Sequence, residues 1–241
     1  MLKVELHAHS ADDPQDLVPY STSELIERAS ALGYDALAIT LHDRQLDLGP
    51  WREQAEARGI VLIPGVERTI AGRHVLLLNF PAVAERVESL DQVRALKREF
   101  AGGLVIAPHP FYPGPSCLGR VMDRYPDLFD AVELTWFYTA GTTHFNDRAL
   151  AWARAHRRPV VANADVHRLR QLGTTYSLID ASPDPASICQ AVRAGAVTLV
   201  TEPIGAAEAA FYFASLTAAS LKRRGRALLP LPSRPAGAEQ G

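Results

Sequence analysis

The chain opens with the run Val4-Glu5-Leu6-His7-Ala8-His9, an apolar, strand-like segment that ends in two histidines. Residues two positions apart on a strand point to the same side, so His7 and His9 can reach one ion. Runs rich in Val, Ile and Leu, each next to a histidine or an acid, recur at 37–43, 61–67, 74–78, 104–109 and 160–167. Imidazole and carboxylate groups are the usual ligands of zinc, manganese and iron, so the pattern indicates a metal site.

Helix signals separate these runs. Ser21-Thr22-Ser23-Glu24 has the pattern of a capping box and precedes a helical segment that stops at Gly33. Further helices are predicted up to Gly59 and over about 90–100, 146–156 and 184–194. The apolar runs lack the alternation of a half-exposed antiparallel sheet, so we predict repeated βα units around a parallel sheet.

The position of the polar groups distinguishes a barrel from an open sheet. An open, doubly wound sheet gathers its ligands at a switch point between two or three strands. Here metal-type side chains end at least five runs, and only a closed ring brings five strand ends together. We therefore expect an α/β fold with a TIM-like barrel.

Composition and charge narrow the class of protein. The chain has 241 residues, 47% of them hydrophobic, which is enough for a large core. A formal charge of −2 gives no overall basic field that would recruit long nucleic acid. Two cysteines make neither a disulfide framework nor a zinc-finger spacing. We find no signal-peptide pattern and no apolar segment long enough to span a membrane, so a soluble, cytoplasmic protein is predicted.

The expected domain organisation has three parts. Residues 1–204 form the barrel, residues 205–225 form a helix that packs on it, and residues 226–241 form a disordered tail, because little in that tail could pack.

Individual residues suggest roles within the site. Glu67 follows a predicted Pro64-Gly65 turn and is suited to bridging two ions through its two oxygens. His109 lies between two prolines, which hold it in a stiff turn. By contrast, His144 and His156 fall in a loop and at a helix end, and we expect both at the surface.

As an ordered set, these segments resemble the PHP (polymerase and histidinol phosphatase) family. The matching pieces are His7-Ala8-His9, Ala38-Ile39-Thr40-Leu41-His42-Asp43, Ile63-Pro64-Gly65-Val66-Glu67, His74-Val75-Leu76, Pro108-His109-Pro110, Val132-Glu133-Leu134 and Asn163-Ala164-Asp165-Val166-His167. The match covers about residues 3 to 170. It implies a distorted seven-stranded (β/α) barrel, two or three divalent ions (Zn, Mn or Fe) and phosphoester hydrolysis.

The resemblance also assigns metal ligands. They are His7, His9, Glu67 and Asp165 for the deeper ions, completed by His42, His74, His109 and His167. One further ligand comes from Asp12, Asp13 or Asp16, of which Asp13 is preferred. Glu133 is expected to support the site from beneath. Leu41 and Ala164 depart from the usual Asp and Ser of the family, but neither position is usually a ligand.

The implied mechanism is hydrolysis of a phosphomonoester or phosphodiester by a metal-activated water, with Glu67, Asp165 and His167 around it. Arginines that follow ligand segments could grip the phosphate; they are Arg168, Arg170 and Arg44, with Arg68 as a further candidate. The expected substrate is a small phosphorylated metabolite, a nucleotide or the end of an oligonucleotide.

Two other functions are compatible with parts of the pattern. An amidohydrolase-type barrel also opens with His-x-His, but it needs a bridging lysine, and Lys3, Lys97 and Lys222 do not end a strand-like run. A non-catalytic PHP-like module that binds or regulates would be expected to lose ligands first, whereas the ligand set here is intact.

Overall fold

The computed structural model describes residues 1–212, and up to residue 201 nine strands and five α-helices follow one another along the chain. The strands are β1 (Leu2–Ala8), β2 (Ala36–Ile39), β3 (Val61–Ile70), β4 (Arg73–Leu78), β5 (Leu104–Ala107), β6 (Ala131–Thr135), β7 (Val160–Asn163), β8 (Thr175–Ile179) and β9 (Val197–Thr201). The helices are α1 (Thr22–Ala31), α2 (Arg52–Glu56), α3 (Leu90–Glu99), α4 (His144–Ala155) and α5 (Pro185–Ala194).

The strands form one mixed sheet in the order β7-β6-β5-β4-β3-β2-β1-β8-β9. β1 to β3 pair in parallel, as do β5 to β7, whereas β4 is antiparallel to both neighbours and β8 is antiparallel to β1 and β9. The sheet nearly closes on itself where a parallel bridge joins Ala8 to Val166. The predicted distorted α/β barrel is confirmed, and the sheet contains nine strands where the resemblance implied seven.

Two irregularities lie beside the predicted ligands at the mouth of the barrel. Between Glu5 and Ala8 the register of β1 against β2 shifts, and a bulge of this kind re-aims the side chains beside it. Pro64 and Gly65 lie inside the continuous strand β3, so the predicted turn at this point is wrong. A Cβ on Gly65 would lie 2.8 Å from Leu78 and from Thr40, which shows that β3 needs a glycine here to approach its neighbours.

Apolar side chains pack in two layers. One fills the space enclosed by the strands and includes Leu76, Ile106 and Val161, with Ile188 of α5 against them. The other lies between the sheet and helices α3 and α4. Together the layers fix the strand ends, and hence the residues that follow them, in position.

The chain divides into two compact units, Met1–Pro203 and Ile204–Gly241. Residues 206–212 of the second unit are helical. The rest of the helix predicted over 205–225, and the tail predicted over 226–241, lie outside the described residues. Within residues 1–212, no helix has the length and apolar character required to cross a membrane.

Candidate metal centre

Glu67, on β3, lies at the centre of the mouth and is almost completely buried. Its Oε2 is close to three imidazole nitrogens: 3.4 Å from His7 Nε2, 3.4 Å from His9 Nε2 and 3.1 Å from His42 Nε2. Its Oε1 is close to two more, at 2.7 Å from His74 Nδ1 and 3.2 Å from His109 Nε2. The two oxygens therefore face two different groups of histidines.

Asp165 follows β7 and closes the site from the opposite side. Its Oδ1 lies 3.3 Å from His7 Nε2 and 3.4 Å from His9 Nε2. His167, two residues later, has its Nδ1 3.4 Å from the same oxygen. The backbone of Asp165 is left-handed, with φ of 45°, a strained conformation for a non-glycine residue and one typical of functional sites.

The buried atoms of this cluster that have no hydrogen-bond partner include His7 Nε2, His9 Nε2 and Asp165 Oδ1. Burying a polar atom without a partner is unfavourable by about 1–3 kcal/mol. All three atoms converge on the same point, and each is a donor type that zinc, manganese or iron accepts. The residues present therefore fit a bound divalent ion.

Carboxylates behind the rings orient these histidines. Glu133 Oε2 lies 2.8 Å from His7 Nδ1, and Asp13 Oδ2 lies 2.8 Å from His9 Nδ1 and 3.0 Å from His42 Nδ1. A ring that donates its Nδ1–H to a carboxylate leaves the Nε2 lone pair free for a metal. The supporting role expected of Glu133 agrees with this geometry.

Asp13 and Asp16 lie in different places. Besides its two ring contacts, Asp13 accepts backbone N–H bonds from Gln15 and Asp16 through Oδ1, so both of its oxygens are engaged behind the imidazoles. Asp16 instead points its Oδ2 at His167 Nε2, at 3.2 Å. Of the nine ligands predicted from the sequence, eight present their atoms within the four potential metal-binding groups found among residues 1–212, and Asp13 is the exception.

Electrostatics couples these groups strongly. Burial alone would lower the pKa of His7, but the carboxylates of Asp165, Glu133 and Glu67 raise it well above its usual range. Burial would raise the pKa of Glu67, but the surrounding histidines, led by His7, hold it well below its usual range. Glu67 is therefore a carboxylate that neighbouring positive charge stabilises, as a metal ligand must be.

Sequence reasoning missed three buried residues that support the site. Glu5 accepts N–H bonds from the backbone of His7 and Ala164, and Asn163 donates to Glu133 through Nδ2 at 3.0 Å. The sulfur of Cys117 lies 3.5 Å from His109 Nδ1. Glu5 and Asn163 stood within the quoted runs and could have been noticed, whereas Cys117 reaches His109 only through the folded loop.

The predicted phosphate-binding arginines differ in their surroundings. Arg170 and Arg44 are exposed and Arg168 is half-buried. Arg44 lines an open groove that also includes Gln15, Asp43 and Arg86. Arg68 is engaged elsewhere, since its guanidinium pairs with Asp43 and donates to the carbonyl of Val87.

The two histidines predicted to be bystanders lie at the two ends of α4, His144 within the helix and not in the predicted loop. His144 begins the helix and is exposed. His156 follows its last turn, is half-buried, and stacks on Trp152 at 4.0 Å between ring centroids. Neither contributes to a potential metal-binding group among the described residues.

Comparison with known proteins supports the family resemblance. A PHP-associated family model matches residues 143–197. A 5′-3′ exoribonuclease of Haemophilus influenzae is 34% identical over 101 residues, which cover 40% of this chain and only 36% of that protein.

Solved structures show the same fold. One is a two-domain protein of Bacteroides vulgatus that contains a predicted PHP-like metal-dependent phosphoesterase, with a TM-score of 0.65 and 19% identity over 83% of this chain and 65% of that one. Another is the lesion-specific endonuclease Q of Pyrococcus furiosus, with a TM-score of 0.55 and 18% identity over 82% of this chain and 57% of that one. The resemblance to the PHP family predicted from the sequence is confirmed.

Proposed function

We propose that this PHP-fold protein is a metal-dependent phosphoesterase that hydrolyses a phosphomonoester or a phosphodiester. One observation carries the proposal: His7 Nε2, His9 Nε2 and Asp165 Oδ1 are buried and lack hydrogen-bond partners, and Asp165 Oδ1 lies 3.3 Å from the first nitrogen and 3.4 Å from the second. Without a bound cation, nothing would offset the unfavourable free energy of burying these three atoms unpaired.

The two oxygens of Glu67 suit it to bridging two ions. His7, His9 and Asp165 would hold one ion with its Oε2, and His74 and His109 would hold a second ion with its Oε1. For a third ion, the geometry favours His42 and His167 together with Asp16 over Asp13, because Asp16 Oδ2 faces the His167 ring. Mixed nitrogen and oxygen donors of this kind suit zinc, manganese or iron.

Divalent ions bound there would make a water available as hydroxide near neutral pH and neutralise charge on the phosphate oxygens. Glu67 and Asp165 face this space as carboxylates, because neighbouring histidines lower the pKa of both acids well below the usual range. His167 lies at the rim, where Arg168 and Arg170 follow it. We propose that these arginines and Arg44 orient the phosphate through charge-assisted hydrogen bonds.

The proposed substrate carries a phosphate ester on a small metabolite, a nucleotide or the end of a short oligonucleotide. The two named relatives are nucleases, an exoribonuclease and an endonuclease, which supports the nucleotide end of this range. The near-neutral chain favours short substrates over long nucleic acid, because no overall basic field is available. An amidohydrolase function is disfavoured, since the two lysines among residues 1–212 are engaged outside the cluster: Lys3 donates to the carbonyl of Leu32, and Lys97 pairs with Asp130.

The test compares metal content with turnover. Wild-type protein should contain two or three transition-metal ions per chain by elemental analysis and hydrolyse members of a panel of phosphate esters. His7→Ala and Asp165→Ala should lose both metal and turnover while retaining the wild-type circular dichroism spectrum, because the barrel core consists of other residues.

His156→Ala is the matched control, since it removes a half-buried histidine outside the cluster, and it should keep both metal and activity. Equal losses in all three variants would show that the site lies elsewhere. Less than one ion in the wild-type chain, with no activity regained on adding manganese or zinc, would contradict the proposal as a whole.

A further inference from the structure

A group of aromatic rings lies beside the metal centre and takes no part in it. Tyr112, Phe137 and Phe145, named here the aromatic platform, are each half-buried. The Tyr112 ring lies 4.8 Å from that of Phe145 and 6.5 Å from that of Phe137, between centroids. The rings come from three separate segments, those that follow β5 and β6 and the first turn of α4, so the tertiary fold assembles them.

The backbone ties the platform to the metal centre. The N–H of Tyr112 donates to the carbonyl of His109 at 3.3 Å, which is the bond of a four-residue turn. The Cα atoms at the ends of such a turn are less than about 7 Å apart. Phe137 lies two residues beyond the end of β6, the strand that carries Glu133. The platform therefore borders the site along two strand ends.

The platform is also held rigid. The hydroxyl of Tyr112 donates to the carbonyl of Phe137 at 2.6 Å, which fixes the ring and joins the two segments. Aromatic rings that are already ordered bind a flat ligand with little loss of side-chain entropy.

Positive charge flanks the rings. Arg148, on the same face of α4 as Phe145, is exposed and lies 4.8 Å from the ring centroid of Phe111. Among residues 1–212 it pairs with no carboxylate. A guanidinium without a carboxylate partner next to packed aromatic rings is the combination that binds the base and the backbone of a single-stranded nucleotide.

We propose that the aromatic platform binds the nucleobase of the substrate while its phosphate ester lies at the metal centre. The inference rests on the proposed phosphoesterase function and narrows its substrates to nucleotides and the ends of single-stranded oligonucleotides. Stacking is tolerant of base identity, because every base has a π-face, so the platform selects for a base without reading sequence.

The test measures specificity and stacking separately, on full-length protein supplied with Mn²⁺. The ratio of kcat/KM for AMP to that for glycerol 2-phosphate should fall about five- to a hundredfold in Phe145→Ala. Loss of one base–aromatic stacking contact weakens binding by about that factor. Phe145→Tyr, which keeps a ring, should restore the ratio. Phe137→Leu, which keeps apolar volume without a ring, should lower it as well.

Fluorescence of 2-aminopurine riboside 5′-monophosphate reports stacking without any turnover. Wild-type protein and Phe145→Tyr should quench it, and Phe145→Ala should quench it less. Tyr125→Ala is the matched control, because Tyr125 is also half-buried and lies near an arginine, Arg94, but precedes β6 at its other end.

An unchanged specificity ratio in both Phe145→Ala and Phe137→Leu would contradict binding of the nucleobase by the aromatic platform. An absence of quenching by wild-type protein would contradict it too. Quenching without hydrolysis of either ester would contradict the phosphoesterase function and leave the platform standing.

Discussion

At the scale of single residues, the site depends on side chains that act behind the ligands. Asp13 contacts two imidazoles and accepts N–H bonds from three backbone amides, so both of its oxygens are engaged behind the rings. His9 and His42 lower the pKa of Asp13 far below its usual range against the effect of burial, so it remains a carboxylate. It fixes the direction in which the Nε2 atoms of His9 and His42 point, and no pattern of residues along the sequence predicts this.

Substitution separates the roles of Asp13 and Asp16. Asp13→Asn should weaken metal affinity and activity about 10- to 100-fold, as loss of a carboxylate behind ligating histidines does. Asp16→Asn should remove one ion from the stoichiometry and leave the others bound. Elemental analysis and metal titration of both variants measure this difference. If instead Asp13→Asn loses a whole ion and Asp16→Asn keeps the full complement, Asp13 is the ligand.

At the scale of secondary-structure elements, local sequence signals set helix boundaries accurately. The capping box predicted at Ser21 and Glu24 is present: the Ser21 side chain accepts from the backbone N–H of Glu24, whose carboxylate accepts from that of Ser21. A similar cap begins α3, where Ser89 accepts from the backbone N–H of Gln92 at 3.2 Å. Such caps satisfy N–H groups that the helix itself leaves unpaired.

The cap of α3 offers a test of stability apart from function. Ser89→Ala should lower the free energy of unfolding by about 1 kcal/mol, because the helix loses its side-chain acceptor, while Ser89→Asn should keep most of it. Denaturant unfolding measures the change in stability, and kcat/KM for a substrate from the panel of phosphate esters measures the change in activity. Since α3 contributes no residue to the metal centre, activity should be unchanged. A drop in kcat/KM in both variants would show that α3 positions the site.

At the scale of the whole molecule, the metal centre joins strands from both ends of the chain. His7 and His9 come from β1 and its end, and Asp165 and His167 follow β7. An ion held between them would tie the barrel where its sheet nearly closes. Ligands that bind only the folded state raise its stability.

Removing the metal should therefore lower the Tm. At an ion concentration of about a thousand times Kd, binding contributes about 4 kcal/mol, or roughly 10 °C for a chain of this size. Thermal unfolding with EDTA and with added Mn²⁺ measures the shift. Asp165→Ala, which removes a proposed ligand, should show little difference in Tm between EDTA and Mn²⁺. A wild-type Tm that is identical in EDTA and Mn²⁺ would argue against a structural contribution of the ion.

The same shift should depend on pH. Burial opposes protonation of His167, but Asp165 and Asp16 raise its pKa to about 9, so the metal-free protein holds a proton there at neutral pH. The raised pKa favours the protonated, metal-free fold, and a binding ion must displace that proton. The metal-induced rise in Tm should accordingly be smaller near pH 6 than near pH 8.

The sequence determined the class of fold and most of the candidate ligands, because both follow from local patterns. Apolar runs alternate with helical segments, and strand ends carry imidazoles and carboxylates whose chemistry is independent of their surroundings. Eight predicted ligands meet among the described residues for this reason. Local patterns did not predict that β4 is antiparallel to its neighbours or that β3 continues through Pro64 and Gly65. Both features depend on pairing with other strands of the sheet.

Only the tertiary structure decided which groups act behind the ligands. Glu5, Cys117 and Asn163 became part of the site through contacts with residues on other segments of the chain. The proposal of Asp16 over Asp13 as a ligand also rests on a loop that folds back to His42 and His167. The aromatic platform likewise joins rings from three segments. The sequence determines the chemistry of each side chain, whereas packing between segments far apart along the chain sets the direction in which each side chain points.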